Sequence, residues 1–215
     1  MSFAQDATRL SLQEWERFDR GKGRETDPPY RDYVKEYWVS IGVHHLDGAT
    51  EEATPWDPAK TWRPPWSAAF ISWIARKAGA GDRFAYGPGH AGYVARAWNE
   101  TEDNKPGRLY QVRRIEDYTP QAGDLVHFSR TASVKNFQAA KALWADGKHY
   151  NSHCDFVVEA DPGGAFIQTI GGNTRDSQGA AGHTVGRKRI RLSADGKLNQ
   201  RQSSHWLAIM ECLDR

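Results

Sequence analysis

Near the start of the chain, apolar residues recur at helical spacing in two stretches. Leu10, Leu12, Trp15 and Phe18 predict an amphipathic N-terminal helix that ends at the breaker Gly21-Lys22-Gly23. After Pro28-Pro29, a second helix is predicted from Tyr30, Tyr33, Val34, Tyr37, Trp38 and Ile41, which recur at three and four residues until Gly42. His44 to Lys60 is polar and rich in acidic residues and prolines, so it reads as a loop. The densest apolar stretch follows, from Pro64 to Gly79. The two prolines suit only its first turn, Gly79 is the expected stop, and the pattern leaves Ser72, Arg76 and Lys77 for water. This is predicted as a core helix. A turn-rich loop, Phe84 to His90, leads into a helix bearing Tyr93, Val94, Ala97 and Trp98. From Arg108 the period becomes that of strands, over Leu109–Val112, Asp124–Phe128, His153–Glu159, Ala165–Ile170, His183–Leu192 and His205–Leu213. A helix from Asn136 to Gly147, carrying Phe137, Ala140, Leu143 and Trp144, is predicted between them.

Composition narrows the function classes. The 215 residues suit one domain with a sizeable core, in which residues 1–60 form a helical brace and loop and 61–215 the main body. Basic and acidic residues, 29 and 27, nearly cancel, and no basic block argues for nucleic acid. No stretch approaches a membrane span, and Met1 to Arg20 holds no apolar run of signal-peptide length. Nine Trp and eight Tyr are many for a chain only 39% hydrophobic, so some rings are expected to line a groove. Cys154 and Cys212 form no metal or redox motif and read as buried free thiols, although they could pair.

Chemistry concentrates around Ser67. It falls in the first turn of the core helix, where unpaired N–H groups and the positive end of the dipole favour developing negative charge. A serine there is either a cap or a nucleophile. His90 opens the next helix, where the dipole favours a neutral ring able to accept a proton or bind substrate; capping is the alternative. On the His153 strand, alternation places His153 and Asp155 on one face, so Asp155 could orient the histidine, bind substrate or pair with a cation. Gly171-Gly172-Asn173 reads as a turn. The basic run Arg187, Lys188, Arg189 and Arg191 reads as a solvated strand face, with contacts to acidic peptide or phosphate groups as the other use.

The run Trp66-Ser67-Ala68-Ala69-Phe70-Ile71-Ser72-Trp73 resembles the catalytic helix of the CHAP and NlpC-type papain-like hydrolases, bacterial enzymes that cut amide bonds in peptidoglycan. Those enzymes usually carry a cysteine where Ser67 stands. A closer resemblance is to an uncharacterised bacterial family with Trp-Ser-Ala-Ala-Phe at this point, so the serine is either natural or a replacement of cysteine. Pro120-Gln121-Ala122-Gly123-Asp124-Leu125-Val126-His127-Phe128 is similar to the strand that opens the small barrel of the same enzymes, and His153-Cys154-Asp155-Phe156-Val157-Val158 resembles their histidine strand. The resemblance spans roughly Pro65 to Asn173. It implies an α+β, papain-like domain in which a helix packs on a small antiparallel sheet or barrel.

It also implies a triad of Ser67 as nucleophile, His153 as base and Asn173 as the group holding the ring. Trp66, Trp73, His90 and Asp155 are the expected supporting or substrate-binding residues. No cofactor and no metal are expected, and the partners implied are peptidoglycan or its stem peptides, with the chain a monomer. A cell-wall substrate without a visible leader implies delivery to a target cell's periplasm as an antibacterial effector of a contractile (type VI) secretion apparatus, restrained by an immunity protein, or release as a phage lysin. Two rivals remain: a peptidoglycan-binding pseudoenzyme, and a metal-dependent hydrolase using His90, His153, Asp155 and His183.

Overall fold

The computed structural model describes residues 1–176, 183–200 and 205–215. Among the described residues, five α-helices, α1 (Phe3–Arg17), α2 (Tyr30–Ser40), α3 (Ser67–Lys77), α4 (His90–Glu102) and α5 (Phe137–Ala145), accompany eight strands. The strands are β1 (Glu52–Thr54), β2 (Asp57–Trp62), β3 (Tyr110–Arg113), β4 (Leu125–Ser129), β5 (Ser152–Ala160), β6 (Phe166–Thr174), β7 (Thr184–Arg191) and β8 (His205–Cys212). The fold class is α+β. Six strands form one antiparallel sheet in the order β3-β8-β4-β5-β6-β7, so β3 and β7 are its edges; β1 and β2 pair separately.

The α3 sequence forms a helix because its apolar residues cover every side, and it is buried from Ser67 to Ala75. It packs against β5 and β6 while α1 and α2 brace it from outside. The brace is aromatic. Trp66 forms a three-ring cluster with Phe18 and Tyr37, at ring separations of 5.8 and 5.6 Å, and its indole N–H donates to Glu25 at 2.6 Å. Arg63 donates to the other oxygen of the same carboxylate, which fixes the chain as it enters α3. The opposite side of the sheet carries a smaller apolar cluster that includes Val126, Val157, Ile167, Ile190, Trp206 and Ile209.

Three sequence expectations are corrected. The stretch predicted as a loop, His44 to Lys60, contains most of the β1–β2 hairpin; its strands are largely exposed, so no alternation of apolar residues marks them. Ser72, expected in water, is buried, and its hydroxyl donates to the Gly87 carbonyl and accepts from the Gly87 N–H, both at 3.2 Å. It pins the loop before α4. Gly171-Gly172-Asn173 is strand, not turn: β6 runs through it to Thr174. The glycines serve close approach. A Cβ on Gly172 would come within 2.6 Å of the Trp66 ring, and one on Gly171 within 1.7 Å of the Asp155 carboxylate.

The phrase around Asp124 is structural. Its buried carboxylate accepts from the Gln121 N–H at 2.7 Å and the Cys212 N–H at 2.8 Å, tying the turn before β4 to the end of β8. Burial lifts this carboxyl to about 6. Cys154 and Cys212 are both buried free thiols.

Candidate active site

The first turns of α3 and α4 meet at the start of β5. Ser67 is the first helical residue of α3, whose cap position is Trp66, and no side chain caps that helix. Its hydroxyl is committed elsewhere: Oγ lies 2.7 Å from His90 Nε2. His90 likewise does not cap α4, since its Nδ1 is hydrogen-bonded to the Tyr93 hydroxyl one turn along. A neutral His90 can make both bonds in either tautomer; the one in which Ser67 O–H donates to Nε2 and Nδ1–H donates to Tyr93 is the one that leaves Nε2 able to take the serine proton. Tyr93 in turn contacts the buried Cys154 thiol. Every member of this chain is uncharged. Burial, reinforced by the neighbouring His153, drives the His90 pKa well below the usual imidazole range, so the ring is neutral and can accept a proton.

A second chain comes from the sheet. His153 and Asp155, on one face of β5, join through Nε2–H donating to Oδ1 at 2.9 Å. Lys188, from β7, donates to Oδ2 at 3.0 Å, and Thr169 on the intervening β6 reaches the same oxygen at 3.5 Å. Burial alone would raise the Asp155 carboxyl, but Lys188 and His153 hold it well below the usual carboxylate range. Burial lowers His153 to about 4 despite that carboxylate. With Nε2–H committed to Asp155, His153 Nδ1 is left with a lone pair and no hydrogen-bond partner, fully buried. The His90 and His153 rings lie 5.0 Å apart, so the two chains converge.

The predicted site residues are therefore distributed unevenly. Ser67, His90, His153 and Asp155 come together. Asn173 does not touch His153; it has a positive φ of 50°, and its amide oxygen meets His183 Nδ1 at 3.2 Å, while Asp155 holds the His153 ring instead. Trp66 and Trp73 are core residues, the latter packed edge-on against Tyr37. His183 is largely exposed beside Asn173 and Glu25, and among the described residues no group of three or more His, Cys, Asp or Glu is arranged to hold a metal ion. Tyr93, Thr169 and Lys188 were not singled out for the site. The spacing of His90 and Tyr93, three apart on a helix, was the available signal for the first.

An open cleft of about 770 Å³ reaches Asp155. Its lining includes Pro65, two residues before Ser67, the aromatic rings of Phe128 and Trp206, and the cations Arg63, Arg130, Arg175, Lys188 and Arg189. Ser67, His90 and His153 do not line it, and Ser67 keeps 4% of its surface.

Residues 28–211 match the model of a bacterial family described as an uncharacterized protein conserved in bacteria, DUF2272. The chain belongs to that family. The matched region holds both converging chains and all of the cleft lining except Glu25, whereas α1, which supplies part of the brace, precedes it. No curated protein and no solved structure matches the chain. No helix among the described residues is long and apolar enough to cross a membrane.

Proposed function

We propose that this protein is a cell-wall amide hydrolase with a papain-like core, related to the CHAP and NlpC-type enzymes, in which Ser67 is the nucleophile. One observation carries the reading: a buried hydroxyl in the first turn of a core helix sits 2.7 Å from a neutral imidazole, beside a second imidazole held by a carboxylate. Reach is the first criterion for a base, and it favours His90. As Ser67 Oγ attacks the scissile carbonyl carbon, its proton passes to His90 Nε2; the C–N bond then breaks and the same proton goes to the departing amine. Water repeats the sequence on the acyl-serine and releases the acid. The forming imidazolium lacks a carboxylate of its own, and Asp155, across the His153 ring, is the nearby negative charge. N–H groups at the start of α3 are suited to the oxyanion.

The substrate proposed is an amide of peptidoglycan, within the stem peptide or at its link to the sugar. Delivery as a secreted antibacterial effector, or release as a lysin, belongs to the same reading. A second reading is favoured by the near-complete burial of Ser67 and its absence from the cleft lining: a peptidoglycan-binding protein without turnover. Purified peptidoglycan incubated with the parent, Ser67→Ala and Ser67→Cys proteins separates the two, with released ends identified by mass. New amine and carboxyl ends from the parent or the cysteine variant, and none from Ser67→Ala, support the hydrolase. Binding without new ends from any of the three supports the second reading, and new reducing sugar ends defeat both.

A further inference from the structure

The cleft carries more positive charge than its own carboxylates use. Arg63 is held by Glu25 and Glu51, and Lys188 by Asp155. Arg130, at the end of β4, and Arg175, just past β6, line the same cleft, are exposed and have no carboxylate partner among the described residues. Arg189 also borders it, but strand alternation sets its side chain on the face of β7 opposite Lys188 and Ile190, where its guanidinium carbon lies 3.7 Å from the centre of the Phe166 ring. Guanidinium groups left unpaired around one concave surface form a ready receptor for a carboxylate, which they engage through paired N–H donors. The remaining lining fits a peptide, because Phe128, Ile190 and Trp206 give apolar contact area between the charged groups. Arg130 also lies close enough for its charge to be felt at His90, His153 and Asp155, which puts the receptor next to the proposed chemistry.

We infer that the cleft is a subsite for a free carboxylate on a peptide substrate, held by Arg130 and Arg175 so that the neighbouring amide is brought toward Ser67. The assignment of that amide to Ser67 rests on the hydrolase reading; the carboxylate subsite itself does not. An amidated stem offers these guanidiniums no negative charge in exchange for the water it displaces from them, so the subsite selects acidic over amidated stems.

The test uses the Ser67→Ala protein, so that binding is read without turnover, and two soluble stem-peptide fragments that differ only in having their side-chain and α-carboxylates free or amidated. Calorimetric titration should show the free acid binding at least tenfold more tightly, with the preference reduced to under threefold in the Arg130→Gln, Arg175→Gln double variant. Thermal melts establish that the double variant is folded, and single variants replace it if it is not. Equal affinity for the two fragments, or a preference that survives loss of the arginines, overturns the subsite. Inorganic phosphate competing at lower concentration than acetate or the free-acid fragment also overturns it, in favour of a phosphate ligand. Carboxylate selectivity without cleavage by Ser67→Cys leaves the subsite standing and removes the hydrolase. Cleavage indifferent to amidation does the reverse.

Discussion

Two hydrogen-bonded chains converge on one point and are built on opposite electrostatic plans. The helix-borne chain, Ser67 to His90 to Tyr93, is neutral throughout and buried, with the two histidine contacts made inside the first turns of α3 and α4. The strand-borne chain, His153 to Asp155 to Lys188, carries a full negative and a full positive charge, and needs three adjacent strands to assemble. On the hydrolase reading, the difference separates two jobs. A neutral chain can hold a hydroxyl and take its proton without a counter-charge at rest, whereas the charged chain supplies the field that a transient imidazolium requires. The carboxylate can stay buried because Lys188, itself only partly exposed, compensates it.

The comparison breaks first on turnover. Ser67→Ala should lower kcat/KM on peptidoglycan by at least about 10³-fold, and His90→Asn should match it, with the double variant no worse than either single one because the residues act as a unit. His153→Asn should retain measurable activity. Should His90→Asn keep parental kcat/KM while His153→Asn loses it, the base belongs to the strand-borne chain instead.

Stability separates the chains next. Asp155→Asn removes the negative charge that Lys188 pairs with and leaves one amide oxygen for the two donors His153 and Lys188, and should cost about 3 kcal/mol in denaturant unfolding. A loss under about 1 kcal/mol would mean that the charged chain is not the structural one.

Acid comes third. His90, His127 (lowered by burial to about 3) and His153 (to about 4) all have folded pKa values below the unfolded value near 6.5. Between pH 6.5 and about 4 the unfolded chain binds protons that these rings refuse. Stability should therefore fall as pH falls, by up to about 1.4 kcal/mol per pH unit for each histidine. Asp124, raised to about 6, works the other way between its unfolded value of 3.8 and that pH, and only partly offsets them. His153→Gln should flatten the slope measurably; an unchanged unfolding profile from pH 7 to 4 would show that His153 is not a buried neutral ring.

The smallest effect is expected from Tyr93→Phe. It removes one neutral hydrogen bond behind His90 and should cost about 1 kcal/mol of stability. Its sharper readout is the pH profile of turnover, which should move if Tyr93 sets the His90 tautomer and stay in place if the hydroxyl only fills space.

Legibility in the sequence followed the range of the interaction. The α3 helix and its neighbours were readable because period and breakers are local, and His153 and Asp155 could be placed on one face because alternation is local too. Their company was not readable. Asn173 was placed beside His153 by resemblance, yet its left-handed backbone and the path of β6 turn its amide to His183. Lys188 looked like one of several solvated cations, and only the register of β7 on β6 on β5 brings it to Asp155. The β1–β2 hairpin escaped because strands with neither face buried leave no hydrophobic signature.

By itself, then, the sequence determined where most helices and strands lie, the apolar helix with a polar residue in its first turn, and the neutral preference of a histidine opening a helix, because each depends on spacing along a few residues, whereas the α+β class rested on the resemblance. The tertiary structure alone decided that Ser67 meets His90 rather than serving as a cap, that Asp155 rather than Asn173 holds His153, and that Gly171 and Gly172 are needed for contact instead of a turn. Those outcomes turn on which side chains far apart in the chain come within about 3 Å of each other, and hydrogen bonding at that range is set by packing and strand register.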